Sequence, residues 1–187
     1  MEPLVLLIFG KSGAGKSFVG GILHESHGWY VDHADEDLTD EMIMALNMRK
    51  PFADNMRDRY FSIIAENILT LQESYQNIVL TQGAYKQRHR DYILNRVTDQ
   101  EWVYIQSTDS LIQERLSRRQ GGIYPASAAA LMNDYEEPNK DTKVIVNNES
   151  KSSILRRLSA VAHEMPNKFS RQEAASLIKD IGLEREI

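Results

Sequence analysis

The sequence predicts a three-layer α/β fold, with a mainly parallel five-stranded sheet flanked by helices. Two observations carry this. Short apolar runs such as "LVLLIF" (Leu4 to Phe9) and "NIVLTQG" (Asn77 to Gly83) lack polar alternation, as strands covered on both faces do. Segments of helical periodicity separate these runs, and strands alternating with helices define the three-layer class.

The elements follow in order. Leu4 to Phe9 is the first strand. A glycine loop follows, then a helix from about Gly15 to His24. Trp29 to Asp32 is a short second strand that runs into acidic residues. Thr39 to Leu46 is helical, with Thr39 as its N-cap, and a turn forms at Pro51. Arg57 to Ser74 is a long helix with apolar residues at Phe61, Ile64, Ile68 and Leu71. Asn77 to Gly83 is the third strand, Lys86 to Arg96 a polar helix and Glu101 to Ser107 the fourth strand. Ser110 to Arg119 is a basic helix. Gly121, Gly122 and Pro125 then mark a mobile connection. Lys143 to Asn148 is the fifth strand, and a helix runs from Lys151 to about Glu164. Trp29 and Trp102, at strand starts, read as packing residues. The main domain is expected over 1–165. Beyond Pro166, residues 166–187 give an amphipathic tail helix with Ser170 and Glu173 as a capping box.

Composition narrows the function classes. The chain has 187 residues, 42% hydrophobic and 26% charged, and a net charge of −5. That suits one soluble domain, with no basic field for nucleic acid or an anionic membrane. The absence of cysteine excludes disulfides and thiolate metal sites. None of the five histidines has metal-ligand spacing, though His33 sits inside the acidic loop. The apolar run at 3–9 is too short to span a membrane and leads into a glycine loop. A cytoplasmic location is therefore expected, and a homodimer is compatible with the sequence.

"FGKSGAGKSF" carries the strongest chemical signal. Gly10, Gly15, Lys16 and Ser17 fit G-x-x-x-x-G-K-[ST] at every required position. Glycine lets the backbone curl so that its N–H groups point at phosphate oxygens. A helix N-terminus adds positive potential. The whole loop, Gly10, Lys11, Ser12, Gly13, Ala14, Gly15, Lys16 and Ser17, is the expected ATP-binding segment, with Lys16 on the β- and γ-phosphates and Ser17 on Mg²⁺. No N-K-x-D guanine reader occurs, and the third strand does not end in Asp. A kinase is therefore favoured over a GTPase or motor ATPase.

"DHADED" places Asp32, Asp35, Glu36 and Asp37 just past the carboxyl end of the second strand, where open α/β sheets bind ligands. A hydroxyl-phosphorylating kinase needs a carboxylate to orient the hydroxyl and take its proton. Oxygen ligands for Mg²⁺ are needed there too.

Four segments, "GKSGAGKS", "ADEDL", "KPFADNMRDRYF" and "GAYKQRHRDYIL", resemble the gluconate kinase family, and "RLSRRQGG" is similar to its arginine-rich lid segment. The family lies among small P-loop kinases that include shikimate and nucleoside monophosphate kinases. The resemblance covers roughly residues 4–163. It implies a P-loop kinase fold with a lid near 115–130, and ATP and Mg²⁺ as cofactors. It also implies a sugar acid, gluconate first, as the phosphorylated partner. By the same resemblance Asp35 is the catalytic base and could touch Mg²⁺ through water. Asp54, Arg57, Lys86 and Arg90, with Asp35, hold the acid. Arg115 and Arg119 close over ATP, and Arg119 joins Lys16 and Asp35 in catalysis.

The chain departs from the family pattern at several places. His-Pro becomes Leu38-Thr39, the second aspartate of D-x-D-R becomes Met56, Pro-Trp becomes Arg59-Tyr60, and Gly-His-Phe becomes Gly121-Gly122-Ile123. These changes fall on the acceptor and lid segments and leave the ATP loop intact. The rival readings are a related kinase with a shikimate-like or nucleotide acceptor, and a nucleotide-binding regulatory module without catalysis. Gln82-Gly83-Ala84 stands where a shikimate kinase would carry a triple glycine.

Overall fold

In the computed structural model, residues 3–48, 50–118, 135–148 and 150–163 are described. The strand β1 (Leu4–Phe9) is buried along its whole length, as its unbroken apolar run requires. Its side chains alternate between two cores. Leu4, Leu6 and Ile8 join one hydrophobic cluster, and Val5, Leu7 and Phe9 join the other. This is the period-2 geometry of a strand with helices on both faces.

Around β1 lie β2 (Tyr30–His33), β3 (Asn77–Gln82), β4 (Gln100–Gln106) and β5 (Lys143–Val146). The order across the sheet is β2-β3-β1-β4-β5. Every pairing among the described strands is parallel, so the sheet is more uniform than "mainly parallel". The carboxyl ends of β1, β2 and β3 therefore meet at one edge. That brings the glycine loop and the acidic segment to the same side of the molecule.

One face is covered by α1 (Lys16–His27), α5 (Asp109–Arg118) and α6 (Lys151–His163), through Val19, Ile22, Ile112, Leu116, Ile154 and Leu158. The other face is covered by α2 (Asp40–Asn47), α3 (Asp54–Gln72) and α4 (Gln87–Leu94), through Met42, Phe61, Ile64, Ile68 and Ile93. The predicted order of elements holds, with ends shifted by a few residues. Gly28, at φ 67°, ends α1 and donates its N–H to His24 O, as a left-handed C-cap does. The chain leaves that cap in time to start β2 at Tyr30. Thr39 caps α2, its hydroxyl accepting the N–H of Met42 at 3.3 Å. Helix α3 begins at Asp54, three residues before the predicted start, because Ala53 is still extended and serves as its N-cap.

Trp29 is buried in the first core and Trp102 packs against the second. Residues 115–118, expected to open the lid, form the last turn of α5. The rest of the expected lid, with Arg119, Gly121, Gly122 and Pro125, lies outside the described residues. So does the tail at 166–187.

Candidate active site

The glycine loop joins β1 to α1. Gly13 and Gly15 adopt φ of 83° and 95°, a region that disfavours side chains. At Gly15 a Cβ would also lie 2.0 Å from Asn147 Nδ2. The close approach has a purpose. Asn147, buried just beyond β5, donates from Nδ2 to Ala14 O at 2.8 Å. Arg115, in the last turn of α5, donates to the same carbonyl at 3.0 Å and to Ser107 Oγ at 3.1 Å. Its other nitrogen donates to Asn147 O at 3.1 Å. The carbonyls of Gly13 and Ala14 are thus held from behind, which fixes the curl of the loop. Resemblance puts Arg115 over the nucleotide. In the structure its guanidinium braces the loop.

Lys16 Nζ donates to Lys11 O at 3.2 Å, folded back over its own loop. Lys11 turns toward the segment at 135–137, with Nζ 3.8 Å from Glu137 Oε1 and 5.5 Å from the Tyr135 ring centroid. Ser12 N–H donates to the Tyr85 hydroxyl at 3.0 Å. Burial above all pushes that phenol up to about 12.

Beside the loop is a cavity of about 500 Å³. Ser12, Lys16 and Ser17 border it on one side, and His33, Asp35 and Glu36 on another. Arg57, Tyr60 and Phe61 of α3, Gln82 to Tyr85 and His89 complete the polar part. Leu38, Met42, Ile43, Leu46 and Phe52 form an apolar wall. The four acidic residues divide by role. Asp35 and Glu36 line the cavity, and Asp32 and Asp37 do not. Asp37 Oδ2 accepts from Asn67 Nδ2 at 2.9 Å. Burial, followed by the charge of Asp37, raises the Asp32 carboxyl above its ordinary value.

A hydrogen-bonded chain fixes the acidic segment. The buried Tyr60 hydroxyl donates to Ala34 O, and Gln82 Nε2 donates to that hydroxyl at 2.7 Å. Gln82 Oε1 accepts the N–H of Gly83. The residue before Asp35 is therefore tied through α3 to the end of β3. On the other side, His33 Nδ1 lies 2.7 Å from Thr81 Oγ1.

The structure brings Lys16, Ser17, Asp35 and Arg57 to one cavity. Asp54, Lys86 and Arg90 do not line it. Asp54 is exposed and pairs with Arg88 at 3.3 Å. Lys86 Nζ lies 3.8 Å from Glu136 Oε1. Arg90 is buried and donates to Ala84 O at 2.7 Å and Glu136 O at 2.9 Å. Its guanidinium sits 5.4 Å from the Phe9 ring centroid, so it ties backbone segments together. Sequence reading missed Asn147, Ser107, Tyr60 and His89. Only His89 left a local trace, inside the polar run "KQRHRD".

A parallel five-stranded sheet with a complete phosphate loop at its carboxyl edge defines a P-loop nucleotide-binding fold. Known proteins agree. A gluconokinase from Gluconobacter oxydans is 25% identical over 146 residues, covering 78% of this chain and 82% of that one. A probable gluconokinase from Rattus norvegicus is 36% identical over 94 residues, half of each chain. In structure, a gluconokinase from Sinorhizobium meliloti superposes with TM-score 0.74 at 24% identity over 88% of this chain and 95% of that one. A sugar kinase from Janibacter reaches 0.76 at 20% identity, covering 90% and 99%. No protein-family model matches the chain. The chain is a gluconokinase-like P-loop kinase, an ATP-dependent enzyme acting on a small molecule.

Proposed function

We propose that the protein phosphorylates gluconate with ATP to give 6-phosphogluconate. The observation that carries this is the single cavity bordered by Lys16 and Ser17 on one side and by Asp35 and Arg57 on the other. A donor phosphate and an acceptor acid can meet there. The names of the curated relatives supply the sugar acid.

Each residue then has a definite task. Loop N–H groups and Lys16 hold the ATP phosphates and take up the charge that develops on transfer. Arg57 is buried at 5% exposure, and its fork suits a carboxylate. Asp35 orients the acceptor hydroxyl and receives its proton. Asp54, Lys86 and Arg90 support this wall from outside the cavity, and Arg119 belongs to the lid that shields transfer from water. The Ser17 hydroxyl with the carboxylates of Asp35 and Glu36 is an all-oxygen donor set, which fits Mg²⁺. Ser17 would hold that ion directly and Asp35 through water, and the ion would neutralise phosphate charge. The domain runs over 1–165 with its lid near 115–130. Among the described residues no helix is long and apolar enough to cross a membrane.

The test is ADP release with ATP, Mg²⁺ and a panel of sugar acids, shikimate and nucleotides. Gluconate should give the highest kcat/KM, and Lys16→Ala should abolish ATP binding. If no sugar acid raises ADP release above background, the proposal is wrong.

A further inference from the structure

His89 belongs to none of the roles assigned above, yet it lines the acceptor cavity with only 3% of its surface exposed. Two contacts fix its ring. It stacks on Phe61 with centroids 4.4 Å apart and planes 8° apart. Its Nε2 lies 2.8 Å from Asp58 Oδ1. A carboxylate only accepts, so Nε2 carries the hydrogen and Nδ1 of the neutral ring is left as an acceptor. Arg88 Nε also lies 3.3 Å from Nε2, but the Asp58 carboxylate is closer, and an Nε2 without its hydrogen would set a lone pair against that anion. Among the described residues Nδ1 makes no hydrogen bond, and the ring borders the cavity.

We propose that His89 is an acceptor-binding residue whose Nδ1 takes a hydrogen bond from a hydroxyl of the sugar acid, with Asp58 fixing the tautomer that makes this possible. The inference rests on the reading that this cavity holds a sugar acid. Its chemistry complements the rest of the wall. Arg57 and Lys16 offer only donors, which suit carboxylate and phosphate, whereas a polyol hydroxyl also needs somewhere to donate. A neutral imidazole supplies that at a fixed point. A site built to accept from a hydroxyl also rejects an analogue lacking it, because the buried acceptor is left unpaired.

The bland alternative is a buried strut, with His89 present only to hold Asp58 and Arg88. Two amide variants separate these roles. Asn places its side-chain oxygen near the position of Nδ1, and Gln places its amide nitrogen near Nε2. If His89 binds the acceptor, His89→Asn should keep the acceptor KM within about threefold, and His89→Gln should raise it by about tenfold or more, the value of one buried hydrogen bond. The KM for ATP should not change in either. A strut predicts the reverse order, since Gln keeps the contact with Asp58. Long-range proton–nitrogen spectra of the full-length protein give a second readout that needs no turnover. Free His89 should be the Nε2–H tautomer, and saturating gluconate should move its Nδ1 resonance. The reverse order of variants, equal losses for ATP and acceptor, or an unmoved Nδ1 would each overturn the proposal. If gluconate is not phosphorylated at all, the function reading falls. The nitrogen spectra, repeated with each acid of the panel, then still decide the role of His89, which is overturned if none moves Nδ1.

Discussion

The guanidinium of Arg115 donates to the carbonyl of Ala14 at 3.0 Å, although 101 residues separate them. Asn147 reaches the same oxygen from the end of β5. The phosphate loop is thus clamped by two elements beyond the motif that defines it. Arg115→Ala should weaken binding of a non-hydrolysable ATP analogue by about tenfold to a hundredfold, the range for a charged hydrogen bond left unmade. Arg115→Lys should recover only part of it, since an ammonium lacks the fork. Calorimetric titration measures both. Unchanged affinity in Arg115→Ala would show that the loop holds its shape alone.

Tyr60→Phe keeps the ring and removes the hydroxyl between Ala34 and Gln82. It should cost about 1–2 kcal/mol in urea unfolding, as one buried hydrogen bond does. It should also lower kcat while sparing the KM for ATP, because the loosened segment carries Asp35.

Asp35→Asn should cut kcat by about 10²- to 10⁴-fold, the span of general base catalysis. ATP affinity should stay near wild type, since the phosphates are held by the loop. Rapid-quench measurement of a single turnover separates this loss from slow product release.

Stability should decline toward acid in two stages. Burial above all holds the His89 imidazole below its ordinary value of 6.5. The unfolded chain therefore takes up that proton at higher pH, and stability falls as pH drops below the unfolded value and through the folded one. The hydrogen bond from His89 holds Asp58 below its ordinary carboxylate value. Its contribution is present above the unfolded value and is lost at lower pH, as the folded carboxylate takes up its proton. Urea midpoints from pH 8 to pH 3 check this. His89→Phe should flatten the upper stage and shrink the lower, and Asp58→Asn should reduce the lower.

The sheet was legible because buried parallel strands write their burial into short apolar runs, as Leu4–Phe9 and Asn77–Gln82 do. The loop was legible because one short motif contains all its residues. The brace was not, because Ser107, Arg115 and Asn147 lie far from Ala14 in sequence and no local pattern links them. Basic residues are hard to tell apart for a related reason. In "KQRHRD" Lys86, Arg88 and Arg90 look alike, yet Arg90 is drawn inward to backbone carbonyls and Arg88 outward to Asp54 and Asp58. Which helix face each occupies is decided by α3 and the 135–137 segment, which a linear reading does not bring together.

The hydrogen bond from Ser12 N–H to the Tyr85 hydroxyl joins the nucleotide loop to a wall of the acceptor cavity. A phosphate that claims that amide must release the phenol, and a displaced phenol reshapes the space beside it. The two substrates are then energetically conjugate: the factor by which nucleotide changes acceptor affinity is the factor by which acceptor changes nucleotide affinity. Tyr85→Phe cuts that thread and should bring both factors toward one.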